Sequence, residues 1–282
     1  MNKKTYQEII KCHLTKYKKI NFPLMANGFW KINNKSYPHI LPEENKYDNL
    51  LPIYKKKLID YLDNNNIKLH SDFHHLNSSQ AMCFNFFYPL ILEKKLELVT
   101  DFLELKDKTI KYETVCFEKD GKDKMKGRRP TNFDFYFETI SGKKMYFEIK
   151  YTETEFGKAK NDKEHNDKFD NIYSKLLNPL KEEFHLKEVF FNNYQILRNL
   201  IHIDENSYVV FIYPQDNLKI KEKAEKVKDE ILNKKFHDNF KSVTWEDLFS
   251  FVQNKIIDIK PKQLVLQMKE FKEKYKISLS TD

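Results

Sequence analysis

Residues 132–151 read NFDFYFETISGKKMYFEIKY, and their alternation decides the fold. Phe133, Phe135 and Phe137 fall on one face of an extended chain, and Asp134, Tyr136 and Glu138 on the other. Ser141-Gly142 marks a turn. Beyond it, Phe147 and Ile149 share one face while Tyr146, Glu148 and Lys150 share the opposite one. Two alternating segments, 132–138 and 143–151, joined across a glycine turn read as a β-hairpin. Its polar face carries Asp134, Glu148 and Lys150 together.

The flanks extend this reading. Residues 110–118 (IKYETVCFE) are rich in β-branched and aromatic types and form a third strand. AMCFNFFYPLIL (81–92) is apolar on nearly every face, as a central buried helix would be. Asn77-Ser78-Ser79-Gln80 resembles a capping box for it, with Asn77 as N-cap and Gln80 three positions on. Pro89 is expected to kink or split that helix before a continuation over Glu93–Leu105. Downstream, helices are expected over His165–Leu177, Leu186–Ile201, Leu218–Phe236, from Glu246, and over Gln263–Tyr275. SYVVFIY (207–213), closed by Pro214, reads as a buried strand. From residue 77 the order α-β-β-β-α-α-β-α-α describes an α/β or α+β domain, a central mixed sheet flanked by helices. Residues 1–76 read as a mostly helical N-terminal extension packed on the 77–282 domain.

Composition sets the outer bounds. The 282 residues are 40% hydrophobic and 15% aromatic, ample for a core, so wholesale disorder is excluded. Three scattered cysteines give neither a disulfide scaffold nor a structural zinc site, and point to a reducing, cytoplasmic setting. No apolar run approaches the roughly 20 residues of a membrane span, and the charged N-terminus has no apolar segment behind it. The net charge of +8 is spread through a lysine-rich chain and says little by itself. KDGKDKMKGRR (119–129) says more. Arg128 and Arg129 stand in a chain with only three arginines, and the guanidinium fork grips phosphate bidentately where lysine cannot. A solvated loop between strands is the plainer reading of that stretch.

The hairpin's polar face carries the chemistry. Mg²⁺ takes oxygen ligands, keeps several waters, and is held by one or two carboxylates plus substrate phosphate. Asp134 and Glu148 on adjacent strands can converge on one ion, with the Ile149 carbonyl as a third ligand. Lys150, on the face of Glu148, can orient a water and offset charge at phosphorus. Spacing alone carries no weight. With 42 acids and 47 lysines, chance places about seven acid-x-Lys triplets in the chain, and seven occur. Only Glu148 lies in an alternating strand that faces another strand bearing an acid. The rival Asp258-Ile259-Lys260, with Asp247 upstream, lacks such strands. An outer face laced with cross-strand ion pairs is the competing reading of the hairpin.

This trio, on a helix–three-strand–helix–strand frame, resembles the PD-(D/E)xK nuclease superfamily. SSQAMCFNFF (78–87), FDFYFE (133–138) and FEIKYTETEFG (147–157) look like a bacterial family of restriction endonucleases within it, over roughly residues 70–280. The resemblance implies a restriction-endonuclease-like core, with Asp134 and Glu148 as metal ligands and Lys150 as the catalytic lysine. It further implies Mg²⁺ (or Mn²⁺ in its place) as cofactor and double-stranded DNA as substrate. Phe133 stands where the superfamily's name has Pro. Many members place a glutamate on the first helix; Gln80 is the nearest candidate here, and capping is its equal alternative. Glu153 could orient Lys150 or waters, whereas Glu155 reads as solvated surface. His70, His74 and His75 lack further zinc ligands and read as loop histidines. Tyr136 and Tyr146 either line the cleft or simply pack.

Three functions follow: a DNA endonuclease, a repair or recombination nuclease on structured or single-stranded DNA, and a nucleic-acid-binding module without hydrolysis. Cutting both strands often takes two active sites, so a homodimer is among the expectations. No stripe of residues announces its interface.

Overall fold

The structure, a computed structural model, describes residues 4–259 and 261–277. In chain order the elements are α1 (Tyr6–Asn21), β1 (Gly28–Trp30), β2 (Lys35–Tyr37), α2 (Lys55–Asn64), α3 (Ser79–Leu92), α4 (Glu97–Phe102), β3 (Ile110–Asp120), β4 (Asn132–Thr139) and β5 (Lys144–Ile149). They continue with α5 (Lys163–Asn171), α6 (Lys187–Asn192), α7 (Tyr194–Leu200), β6 (Ser207–Tyr213), α8 (Leu218–Glu225), β7 (Phe240–Thr244), α9 (Trp245–Ile259) and α10 (Lys262–Tyr275). No described helix is long and apolar enough to cross a membrane.

Contacts divide the chain into two compact units. The first gathers the residues up to Lys106, Pro214–Asn217, and those from Thr244 on. The expected boundary at 76/77 therefore falls inside this unit. Its centre is α3, whose residues from Gln80 to Leu90 are all buried. Phe86 packs edge-on against Trp245 (5.2 Å between centroids) and against Phe271 (5.3 Å), each large ring contributing about 2 kcal/mol by leaving water. Asn85 fixes the register of this packing. Its side chain accepts the Leu51 amide and donates to Asn49 O and the Tyr275 hydroxyl. Pro89 sits inside α3, which runs on to Leu92. The N-cap is Ser78, not Asn77, and its hydroxyl accepts the Ala81 amide.

The second unit comprises Asp107–Tyr213 and Leu218–Val243. Its five-stranded sheet has the order β3-β4-β5-β6-β7. β3/β4 and β4/β5 are antiparallel and β5/β6 parallel, so the sheet is mixed and the fold α+β, as a restriction-endonuclease-like core requires. Parallel neighbours need a long crossover, and α5, α6 and α7 supply it between β5 and β6.

Local competition explains where helices stop short of expectation. The helix read over 186–201 breaks at Asn193, whose side chain donates to Val189 O and competes with the helical ladder. The helix read over 218–236 ends at Glu225. Leu232 instead bridges Leu180, and Asn233 donates to Asn178 O and Leu180 O, which pulls the chain out of helical register. In β4, Phe135 and Phe137 lie against Phe147 as alternation demands. Phe133 does not join them. Its ring meets Tyr146 and His202, beside a kink in β3 where Glu118 adopts φ +55°.

Candidate active site

β4 and β5 pair with Phe135 opposite Phe147 and Tyr136 opposite Tyr146. One further step of that register sets Asp134 across from Glu148. Directly opposed residues of an antiparallel pair share a face, so the two acids are neighbours. Asp134 is half-buried, and its Oδ2 accepts the Ile149 amide at 2.6 Å. Burial pushes its carboxyl well above the usual range; the charges of Glu148 and then Glu118 add to this, while the Ile149 N–H and Lys150 oppose it.

Glu148 is 6% exposed and Lys150 4%, and Lys150 Nζ lies 2.8 Å from Glu148 Oε1. Burial alone would lower the Lys150 ammonium. Glu148, Glu153 and Asp134 outweigh it and hold the pKa above its ordinary value, so the lysine is cationic. Glu153, whose Oε2 accepts the Tyr151 amide at 2.6 Å, thus belongs to this charge cluster. Glu155 is exposed. Tyr136 and Tyr146 pack ring to ring at 4.8 Å and are buried, which fits the packing reading.

Two residues escaped the sequence. Gln195, on α7, donates from Nε2 to Glu148 Oε1 at 3.0 Å and accepts the Gly157 amide on Oε1 at 3.0 Å. It holds the same Glu148 oxygen that Lys150 meets, and no spacing rule links positions 148 and 195. Glu118 lies between Phe117 (opposite Phe135) and Lys119 (opposite Phe133), hence beside Asp134. Its place in an alternating register was the one available signal.

The other expectations sort as follows. Gln80 is buried in the first unit, accepting the His70 amide at 2.9 Å and donating to Lys68 O at 3.1 Å. It does not cap α3; that role is Ser78's. Arg128 pairs with Glu164 at 3.2 Å, and Arg129 is exposed. His74 lies near Phe29 O and His75 near Asp72, bound within loops as expected. Of the rival triplet, Lys260 lies outside the described residues, while Asp247 bonds to Thr244 at the start of α9.

Among the described residues, no group of three or more His, Cys, Asp or Glu side chains is placed to hold a metal. A cation here would rest on the Asp134 and Glu148 carboxylates, backbone and water. That donor set is hard and oxygen-only, and suits Mg²⁺ far better than Zn²⁺. Burial first, and then repulsion from Glu148 and Glu118, raise the Asp134 carboxyl, and a divalent ion would relieve the repulsive part.

The model of one protein family, described as restriction endonuclease associating with ARP, matches residues 11–276. The chain belongs to this REase-ARP family. The match takes in most of residues 1–76 as well as the 77–282 region. No curated protein and no solved structure matches the chain. For a REase-ARP member, the PD-(D/E)xK frame is the usual fold, and the mixed sheet conforms to it.

Proposed function

We propose that this chain is a Mg²⁺-dependent DNA endonuclease, acting as a restriction enzyme, with Asp134, Glu148 and Lys150 at its centre. The observation that carries the reading is the buried Lys150–Glu148 pair, 2.8 Å apart and facing Asp134 across the hairpin. A desolvated lysine held among acids on adjacent strands is an arrangement that chemistry on a phosphate would use.

Asp134 and Glu148, with the Ile149 carbonyl, would hold Mg²⁺. When bound, the ion would supply Lewis acidity toward the phosphate and lower the pKa of the attacking water. Water would attack phosphorus in line, yielding a proton to solvent as the new P–O bond forms, while the bond to the leaving oxygen breaks and that oxygen takes a proton from solvent. Lys150 directs its ammonium at the charge that develops there. Glu148 fixes Lys150, and Gln195 fixes Glu148, so the ammonium needs no reorganisation at the moment of reaction. Glu148, with Glu153 and Asp134 behind it, keeps Lys150 protonated against the burial that would lower it. Arg129, facing solvent five residues before Asp134, is free to meet a DNA phosphate.

The test is plasmid nicking with Mg²⁺, with EDTA as control. Lys150→Ala should lose at least a hundredfold in rate, the scale of one electrostatic donor. Undiminished cleavage by that variant overturns the reading. Salt-dependent DNA binding by the wild type with no metal-dependent cleavage would assign a binding module instead.

A further inference from the structure

The basic stretch 119–129 does not fold as a loose solvated loop. Asp123 is fully buried and accepts the Thr131 amide on both carboxylate oxygens, at 2.8 and 2.9 Å, and the Thr131 hydroxyl at 3.0 Å. Lys168 Nζ, from α5, lies 3.1 Å from Asp123 Oδ2 and donates to Arg129 O at 2.7 Å. His202, also fully buried, faces Asp123 Oδ1 at 3.4 Å and accepts the Lys122 amide on Nδ1 at 3.2 Å. Burial alone would raise the Asp123 carboxyl; His202, Lys168 and the Thr131 amide outweigh it and hold it well below the usual range. Between the two tethered ends the chain pairs Met125 with Arg128 and turns at Gly127, φ +76°.

A buried ion cluster of this kind adds little net stability, because desolvation cancels much of the attraction. What it fixes is position. Above the knot the cations face outward. Lys126 and Arg129 are exposed and have no side-chain partner among the described residues, while Lys124 leans on Asp120 at 3.5 Å. Arg128 is committed to Glu164 and braces the arm against α5.

We propose that residues 121–131 are a pre-organised phosphate-contact arm, locked by the Asp123–Lys168–His202 knot, which presents Lys126 and Arg129 to the backbone of duplex DNA beside the cut. The proposal rests on the nuclease reading only for the last phrase. Arg129 is five residues from Asp134, at most about 17 Å of extended chain, or roughly five nucleotide steps at 3.4 Å each. Contacts to phosphate position the duplex without reading its sequence.

The test uses the full chain, labelled duplexes of two unrelated sequences, EDTA and a KCl titration. Each phosphate contact steepens the salt dependence by about 0.9. Lys126→Ala/Arg129→Ala should therefore flatten the slope by about 1.8. Between about 50 and 200 mM KCl the wild type then loses roughly tenfold more affinity than the variant. Asp123→Asn keeps every outward cation yet should weaken binding on both duplexes and expose the arm to trypsin. Should it fail to fold, Gly127→Ala carries the same test, since its Cβ meets nothing within 4 Å and strains only the turn. Wild-type slope and affinity in the double variant, wild-type binding in the loosened variants, or no salt-dependent duplex binding by the wild type would each overturn the proposal. Binding in EDTA is independent of hydrolysis. Loss of the arm result leaves Lys150→Ala informative, and a wild type that never cleaves leaves the arm result intact.

Discussion

Asp134→Asn should make the metal-free protein more stable while abolishing cleavage. Asp134 and Glu148 occupy opposed positions of β4 and β5, where Cβ atoms stand about 5 Å apart. Two unit charges at that separation, in an effective dielectric of about 20, repel by about 3 kcal/mol. Lys150 offsets part of this, because it attracts both acids. The Ile149 amide, now donating to a carboxylate at 2.6 Å, would keep a neutral acceptor in Asn and lose about 1 kcal/mol. The net expectation is a gain of about 1–2 kcal/mol, or roughly 2–6 °C in Tm for a chain of this size. The gain should grow with pH, since the raised Asp134 pKa means that more of the wild-type carboxyl ionises as pH climbs. Thermal melting in EDTA at about pH 8 measures it directly. Repeated in millimolar MgCl₂, the wild type should rise and close the gap, because its repulsion is what the cation relieves. If Asp134→Asn melts below the wild type in EDTA, the acids do not confront one another and the metal-site geometry is wrong.

Gln195→Ala should raise the Mg²⁺ concentration needed for half-maximal cleavage by about 10- to 100-fold with little change in Tm, the signature of a residue that orients a ligand; an unshifted Mg²⁺ titration would mean that Glu148 holds its place without help. In the first unit, burial lowers both His39 and His75 to about 4. The unfolded chain takes up these protons near pH 6.5 and the folded chain only near 4, so this stability is complete above about 6.5 and is lost as pH falls toward 4. Each histidine contributes at most about 3 kcal/mol, and His75→Gln should shrink the fall in Tm between pH 7 and 5; an identical fall would show that His75 titrates normally. At Gly121 an added Cβ would meet the His202 ring at 2.5 Å and Asp123 Oδ1 at 2.8 Å. Gly121→Ala should thus cost about 1–3 kcal/mol by overpacking, measured by denaturant melting, and an unchanged midpoint would mean that the knot yields easily.

The hairpin was legible because a half-buried sheet writes its faces into period-two alternation, and β6 appeared at its read boundaries because its run Val209–Tyr213 is apolar on both faces and closed by Pro214. The core helix was equally plain, its N-cap misplaced by one residue among three small polar candidates. Helix ends after α5 were misread where side chains of Asn193 and Asn233 capture distant or local carbonyls, an event decided by tertiary contact and not by propensity. Phe133 left its face because a neighbouring strand kinks at Glu118, and no pattern within β4 reports that. Asp134, Glu148 and Lys150 share one hairpin and its immediate C-terminal end, so their proximity could be read from the sequence. Gln195 and the partners of Asp123 arrive from helices far along the chain, and only the fold brings them in. The first unit was hardest to delimit, since its pieces are separated by more than a hundred residues of another unit.

That interrupted construction has a consequence for synthesis. The packing partners of α3 on α9 and α10, Trp245 and Phe271, leave the ribosome about 150–180 positions after Leu92. At roughly 5–20 residues per second, the most apolar segment of the nascent chain waits about 10–30 s for its cover. The sheet unit is complete by Val243 and can assemble during that wait. A chain truncated before Lys262 would therefore carry a finished sheet and a permanently uncovered α3, and would be cleared or aggregate instead of persisting half-folded.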